Sequence, residues 1–281
     1  GISSQQAVSR VKRITGCKKA GHTGTLDPLA TGLLLVAVGR ATRLCQYFLE
    51  GDKGYRAEIQ FGAATDTGDR EGRVIGTAQN FSFSSEQIAA VLAQFQGLID
   101  QVPPAASALK IDGQRAFNLF RQGQTPEMPV RQVYIKSIAM LQDTGVDDAN
   151  PILRIDVLCS KGTYIRSLAG DIGVALGCPA HLAALTRTQI SQISLSQAAT
   201  FADLERNYSP WLLDMAIAVD KLPKLQVRGE NRQFFLQGRQ LAANGYEGEV
   251  AVFSGSSLLG IARADNNIIK PVKVLVQEQE P

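Results

Sequence analysis

The sequence predicts an α+β fold, with a mixed, mainly antiparallel sheet in a large first domain and a small β-barrel at the C-terminus. Three observations predict it. Two stretches alternate apolar and polar residues at the period of a half-buried strand, and two others carry apolar residues at helical spacing. These are interspersed without the regular strand–helix–strand period of a doubly wound sheet. After residue 222 the chain changes to short apolar runs separated by turn residues, the pattern of a small barrel. A chain of 281 residues with 44% hydrophobic content can bury one large core or two smaller ones.

The elements follow in order. Residues 33–38 are an uninterrupted apolar run bounded by Gly32 and Gly39, expected as a strand covered on both faces. Tyr55, Ala57, Ile59 and Phe61 alternate with Arg56, Glu58 and Gln60, so this strand turns Tyr55 to the core side. Ser84 followed by Gln87 is a capping box that opens a helix carrying Ile88, Val91, Leu92 and Phe95 inward and ending by Gly97. Residues 103–129, broken by prolines and glycines among Lys110, Arg115 and Arg121, are too polar for core. Leu153, Ile155, Val157 and Cys159 form a second alternating strand. It runs into Ser160-Lys161-Gly162-Thr163, after which Ile165, Leu168, Ile172 and Leu176 fall at helical spacing. Thr163 is the expected cap of that helix, Gly177 its stop, and Arg166 sits in its first turn. Residues 249–253, 258–264 and 272–276 are the expected C-terminal strands, with turns at Ser254-Gly255-Ser256-Ser257 and Asp265-Asn266-Asn267.

Composition excludes several function classes. Net charge is +3, a weak global argument for a nucleic-acid partner. Cys17, Cys45, Cys159 and Cys178 show no Cys-x-x-Cys spacing and have only His22 and His181 to assist them. Neither a metal site nor a disulfide framework is expected. There is no apolar run long enough to span a bilayer and no basic-then-apolar leader, so the chain reads as soluble and cytoplasmic.

Chemistry concentrates in Gly21-His22-Thr23-Gly24-Thr25-Leu26-Asp27-Pro28-Leu29-Ala30-Thr31-Gly32. Asp27 is the only acidic residue among the first 49, which also hold Arg10, Lys12, Arg13, Lys18, Lys19, Arg40 and Arg43. A lone carboxylate in a cationic field suits an anionic polymer held while one carboxylate acts on it. By itself Asp-Pro is more often a turn or a helix cap, with Pro28 at the first helical position. The glycines and threonines around it shift the balance toward a shaped site. No Gly-Lys-Ser/Thr follows, which excludes a phosphate-binding P-loop.

This segment resembles the catalytic motif of the TruB family of pseudouridine synthases, whose bacterial members modify uridine 55 in the TΨC loop of tRNA. The resemblance extends through Gly1-Ile2-Ser3-Ser4, Asp52-Lys53-Gly54-Tyr55, Gly62 to Asp69 with Thr65-Asp66-Thr67, Pro103-Pro104 to Lys110, and Ser160-Lys161-Gly162-Thr163-Tyr164-Ile165-Arg166. It covers about the first 190 residues. It implies a catalytic pseudouridine synthase domain over 1–222 with an RNA-contacting insertion at 103–129, and a PUA-like RNA-binding module over 223–281. Members usually carry a few residues before Gly-x-Ser-Ser, so further chain is expected upstream of Gly1.

The resemblance also assigns roles. Asp27 is the catalytic carboxylate, and Arg166 the cation that keeps it charged beside a base. Tyr55 stacks on the extruded uracil and assists removal of the C5 proton. Tyr164 and Leu185 line the uracil pocket, and His22 fills the space the base leaves. Lys110, Lys18 and Lys19 are candidates for phosphate contact. Asp69 matches a family acid without a role. The implied partner is the tRNA TΨC stem-loop, acted on without metal or cofactor; no sequence feature sets the oligomeric state, and a monomer is the default. Ala106 stands where the family commonly has an aromatic, and Thr186 where a second arginine is frequent; both are expected to affect RNA affinity and to stand clear of the chemical centre. Two other readings are a guide-dependent relative within a ribonucleoprotein and a noncatalytic RNA-binding protein or RNA chaperone.

Overall fold

The computed structural model describes residues 1–124, 126–141, 145–243 and 245–276. Thr125 of the 103–129 stretch, and Asn244 and residues 277–281 of the C-terminal stretch, lie outside the described residues. The chain forms two compact units. The first comprises Gly1–Ser4, Thr25–Leu34 and Glu50–Ala198; the second comprises Gln5–Gly24, Leu35–Leu49 and the chain from Ala199 onward.

The first unit is built on a seven-stranded sheet. From one edge the strands run Ile193–Ser194, Ala180–Ile190, Lys53–Phe61, Ile152–Cys159, Arg131–Met140 and Gly97–Gln101, all antiparallel, while Thr31–Gly32 pairs in parallel with Ala180–Ile190. The alternation read at 55–61 and 153–159 is present: Ala57, Ile59, Phe61, Leu153, Ile155, Val157 and Cys159 are all buried on the core side. Helix Ile165–Ala175 contributes Ile165, Leu168, Ala169 and Ile172 to the same core. Helix Ser85–Gln94 contributes Ile88 and Leu92. Its capping box is formed, with Ser84 Oγ accepting from Gln87 N and Gln87 Oε1 from Ser84 N.

Two local expectations change. Tyr164, not Thr163, is the N-cap of Ile165–Ala175; the Thr163 hydroxyl instead donates to Ser160 O at 3.0 Å, closing the turn that precedes the helix. Residues 33–38 are not one strand. Thr31–Gly32 joins the seven-stranded sheet, whereas Val36–Val38 pairs with Ala20–His22 in the second unit. The break follows from Gly32, whose φ is +96° and where a Cβ would lie 2.4 Å from Arg187 O. Gly32→Ala is therefore expected to cost about 2 to 4 kcal/mol, from positive φ plus overpacking. Urea denaturation measures this, and an unchanged midpoint would deny the close approach.

The second unit holds a five-stranded sheet in the order Lys224–Gln226, Gly248–Ser254, Ser257–Asp265, Ile268–Val274, Leu241–Ala242, parallel only between the first two. It is an open sheet rather than a closed barrel, since its outer strands do not pair with each other among the described residues. The last long strand starts at Ile268, ahead of the expected 272, because Asn266 and Asn267 alone make the turn. Both have positive φ, 48° and 60°, as a two-residue hairpin turn of this hand requires. Pro271 is tolerated because the register shifts opposite it, between Ile261 and Ala262. Val250, Val252, Phe235 and Leu259 fill one face, and Leu44, Val219, Phe253 and Ile261 the other.

Candidate active site

Asp27 sits where the chain is held from both sides. Before it, Ser4 Oγ accepts from Leu26 N at 2.8 Å and donates to Leu26 O at 3.1 Å. After it, Ala30 N donates to Asp27 O at 2.9 Å. Asp27 thus opens a tight turn with Pro28 in second position, which suits proline's fixed φ. No helix follows, so the cap reading of Asp-Pro gives way to a turn. Leu29 is buried in the core and Thr31 Oγ1 lies 2.9 Å from Thr186 Oγ1, so the turn is anchored while the Asp27 side chain stays 37% exposed.

Arg166 meets it from the helix. The turn before this helix passes through Gly162 at φ +82°, and Gln101 then clamps Tyr164 by accepting from its N at 2.8 Å and donating to its O at 3.1 Å. Arg166 follows with a side chain only 7% exposed. Its Nε lies 3.1 Å from Asp27 Oδ2, an ion pair without hydrogen-bond alignment. Nη1 lies 3.4 Å from Asp69 Oδ2 and donates to Thr67 O at 3.1 Å, and Nη2 donates to Ala106 O at 3.0 Å. One guanidinium therefore stands between two carboxylates, one reachable and one buried.

Asp69 gains a physical account from this. It is 7% exposed, and its Oδ1 accepts from Thr67 Oγ1 at 2.8 Å and Glu71 N at 3.0 Å, while Oδ2 faces Arg166. Thr65 Oγ1 also donates to Asp69 O, so the Thr65-Asp66-Thr67 string builds the turn that aims the carboxylate. The expectation that Ala106 stands clear of the centre is corrected, because its carbonyl accepts from Arg166 Nη2. The Thr186 hydroxyl meets Thr31 Oγ1, four residues beyond Asp27.

Tyr55 lies in Lys53–Phe61 directly opposite Val157 and Arg187, and packs on the core that contains Leu29 and Leu185. Burial pushes its phenol up to about 12, against the opposing pull of the Arg187 guanidinium. Tyr55 is thus a neutral phenol at working pH. Because the folded chain keeps this proton beyond the pH of about 10 at which an unfolded one releases it, its stabilising effect is complete below that pH and is lost as pH rises toward 12. Tyr55→Phe is expected to flatten the fall in stability between about pH 9.5 and 11.5, read by denaturation at stepped pH. Equal slopes would place the phenol in water.

The remaining candidates are distributed. Leu185 is buried beside Tyr55 in the core, and Tyr164 opens the helix of Arg166. Lys110 is exposed in a small hairpin, Lys110–Ile111 with Gln114–Arg115, within the 103–129 stretch. His22, Lys18 and Lys19 belong to the second unit, where His22 Nδ1 accepts from Gly24 N and Lys19 O from Gly39 N. Arg187 carries no expected role; in the sequence it stands out as the one charge in the neutral 182–190 stretch, next to Thr186, where the resembled family frequently has a second arginine. Among the described residues no cluster of potential metal ligands occurs, the four cysteines are free, and no helix is long and apolar enough to cross a membrane.

Comparison with known proteins gives these residues a context. Residues 12–165 match the family model described as TruB family pseudouridylate synthase (N terminal domain), and 166–221 match that of the tRNA pseudouridylate synthase B C-terminal domain. The tRNA pseudouridine synthase B of Ralstonia nicotianae is 41% identical, with 98% of this chain and 91% of the relative covered. The enzyme of that name from Chromobacterium violaceum is 45% identical, with 85% and 77% covered. Among solved structures, a chain of an archaeal box H/ACA sRNP Nop10–Cbf5 complex superposes with a TM-score of 0.73 at 25% identity, covering 99% of this chain and 84% of that one. A Cbf5–Nop10–Gar1 complex gives 0.73 at 26%, covering 99% and 82%. By the extent of the family match and the identity over most of both chains, the chain belongs to the TruB family of pseudouridylate synthases.

Proposed function

We propose that this chain is a stand-alone tRNA pseudouridine synthase that converts uridine to pseudouridine at position 55 of the TΨC loop. The observation that carries the reading is the half-exposed Asp27 carboxylate paired with a buried arginine. In the reaction the N1–C1′ bond breaks, the uracil turns, a C5–C1′ bond forms, the C5 proton leaves and N1 takes one up. No electrons enter or leave, so a cofactor-free site suffices. Asp27 is the nucleophile or base, Arg166 pairs with it and fixes its position, and Tyr55 with Leu185 and Tyr164 holds the extruded base. Stacking on one ring is worth about 1 to 3 kcal/mol, comparable to the few kcal/mol that extrusion costs.

In this reading residues 1–222 are the catalytic domain with its pseudouridine synthase fold, 103–129 an RNA-binding insertion, and 223–281 a PUA-like RNA-binding module. His22 occupies the vacated base position, and Lys110, Lys18 and Lys19 face phosphates. The enzyme acts as a cytoplasmic monomer without metal. Identity to proteins named tRNA pseudouridine synthase B exceeds that to the ribonucleoprotein chains, which favours action without a guide RNA.

Mapping pseudouridine in an unmodified tRNA transcript incubated with the purified chain tests the proposal. Product at uridine 55 without added RNA is expected; binding without product would favour the RNA-binding reading, and product only with a guide the ribonucleoprotein one. A charge test accompanies it. Affinity should fall steeply with salt, and replacing Lys18 and Lys19 by Gln should reduce the log–log slope by about 1 to 2. An unchanged slope would remove both lysines from the RNA face.

A further inference from the structure

Arg187 is 2% exposed and heads the fully buried side chains of the described residues by volume. Its donors reach the segment that carries Asp27: Nε donates to Leu33 O at 2.8 Å and Nη1 to Thr25 O at 3.1 Å. These two carbonyls lie on either side of the Asp27 turn, so one planar group closes residues 25–33 into a loop. The main chain of Arg187 reinforces this, because its O accepts from Leu33 N at 2.8 Å and its backbone leaves no room for a Cβ at Gly32. In the other direction, Arg187 stands opposite Tyr55 in the strand pairing, and its positive charge pulls the phenol's pKa down against burial.

Burying a guanidinium is costly, and an apolar residue of similar volume would fill this place at no such cost if packing were the only need. A fork of fixed donors, by contrast, can set the spacing of separate acceptors, which an ammonium at a single point cannot. We propose that Arg187 is a positioning residue that holds the Asp27 loop and the Tyr55 ring in one geometry for the reacting nucleotide, an inference that rests on reading this site as a uridine isomerase. It touches neither base nor ribose and acts through the two groups that do.

Arg187→Lys, which keeps the charge and loses the fork, tests this beside Arg187→Met. At saturating tRNA transcript the single-turnover rate of Arg187→Lys should fall at least about a hundredfold, the scale of an ångström of misplacement. Its Kd for the transcript should stay within about threefold of wild type. Amide hydrogen exchange of the free protein should quicken in residues 25–33 and stay slow in Lys53–Phe61 and Ile152–Cys159. Arg187→Met should show both effects more strongly. A lysine variant with nearly the wild-type rate, a rate loss matched by weaker binding, or exchange quickened across the whole sheet would overturn the proposal. So would failure of the lysine variant to fold, which would make Arg187 a determinant of the fold instead. Absence of product from wild type would sink the isomerase reading alone, and the exchange pattern would then decide whether Arg187 anchors the loop.

Discussion

Asp27→Asn is expected to lower single-turnover pseudouridine formation at least about a thousandfold, some 4 kcal/mol of lost transition-state stabilisation, with tRNA affinity within a few-fold of wild type. The substitution is close to isosteric. The turn survives it, because the bond from Ala30 N goes to the main-chain O of residue 27 and Ser4 grips Leu26. Arg166 keeps Asp69, Thr67 O and Ala106 O as partners, so no buried charge is stranded and stability should change by less than about 1 kcal/mol. What is lost is the charge that, in the proposed reaction, attacks or takes a proton. Full activity in the Asn variant, with product mapped by primer extension on the transcript, would remove Asp27 from the chemistry. Weak binding with normal chemistry at saturation would give it a role in RNA contact only.

The parts of this site that the sequence made legible are those with a local signal. Tyr55 and Arg166 could be placed because a period of two and a period of 3.6 meet at known ends of a strand and a helix. Gly177 and the Ser84–Gln87 box were readable for the same reason, since caps are short-range devices. Residues 33–38 mislead because six apolar residues look alike whether they serve one sheet or divide between two. The partners of Arg187 are backbone carbonyls of Thr25 and Leu33, which every residue possesses, so no side-chain pattern marks them. Asp69 stands in the sequence as a matched acid without a role, and its pairing with Arg166 exists only in the fold. Ala106 shows the same limit, since its contact with Arg166 runs through its carbonyl and not through a side chain.

Arg166 separates charge from geometry, and its two substitutions should differ accordingly. Arg166→Met removes the cation between Asp27 and Asp69, leaving the buried Asp69 with only its bonds from Thr67 and Glu71. Breaking a buried pair in this way costs about 3 to 5 kcal/mol, so a marked drop in the urea midpoint should accompany loss of activity. Arg166→Lys keeps a positive charge in the same cavity and should cost less stability, about 1 to 2 kcal/mol. Yet one ammonium cannot reach Asp27, Asp69, Thr67 O and Ala106 O together, as the planar fork does. The lysine variant should therefore bind tRNA with near wild-type affinity and react at least about a hundredfold more slowly. Measured single-turnover rates and denaturation midpoints for the two variants decide the matter. If lysine restores the rate as well as the stability, charge alone is what Asp27 requires, and the geometry around Arg166 serves the fold. If lysine restores only stability, the aim of the guanidinium at Asp27 is part of the reaction, because the same positive charge in the same cavity would then have failed to support it.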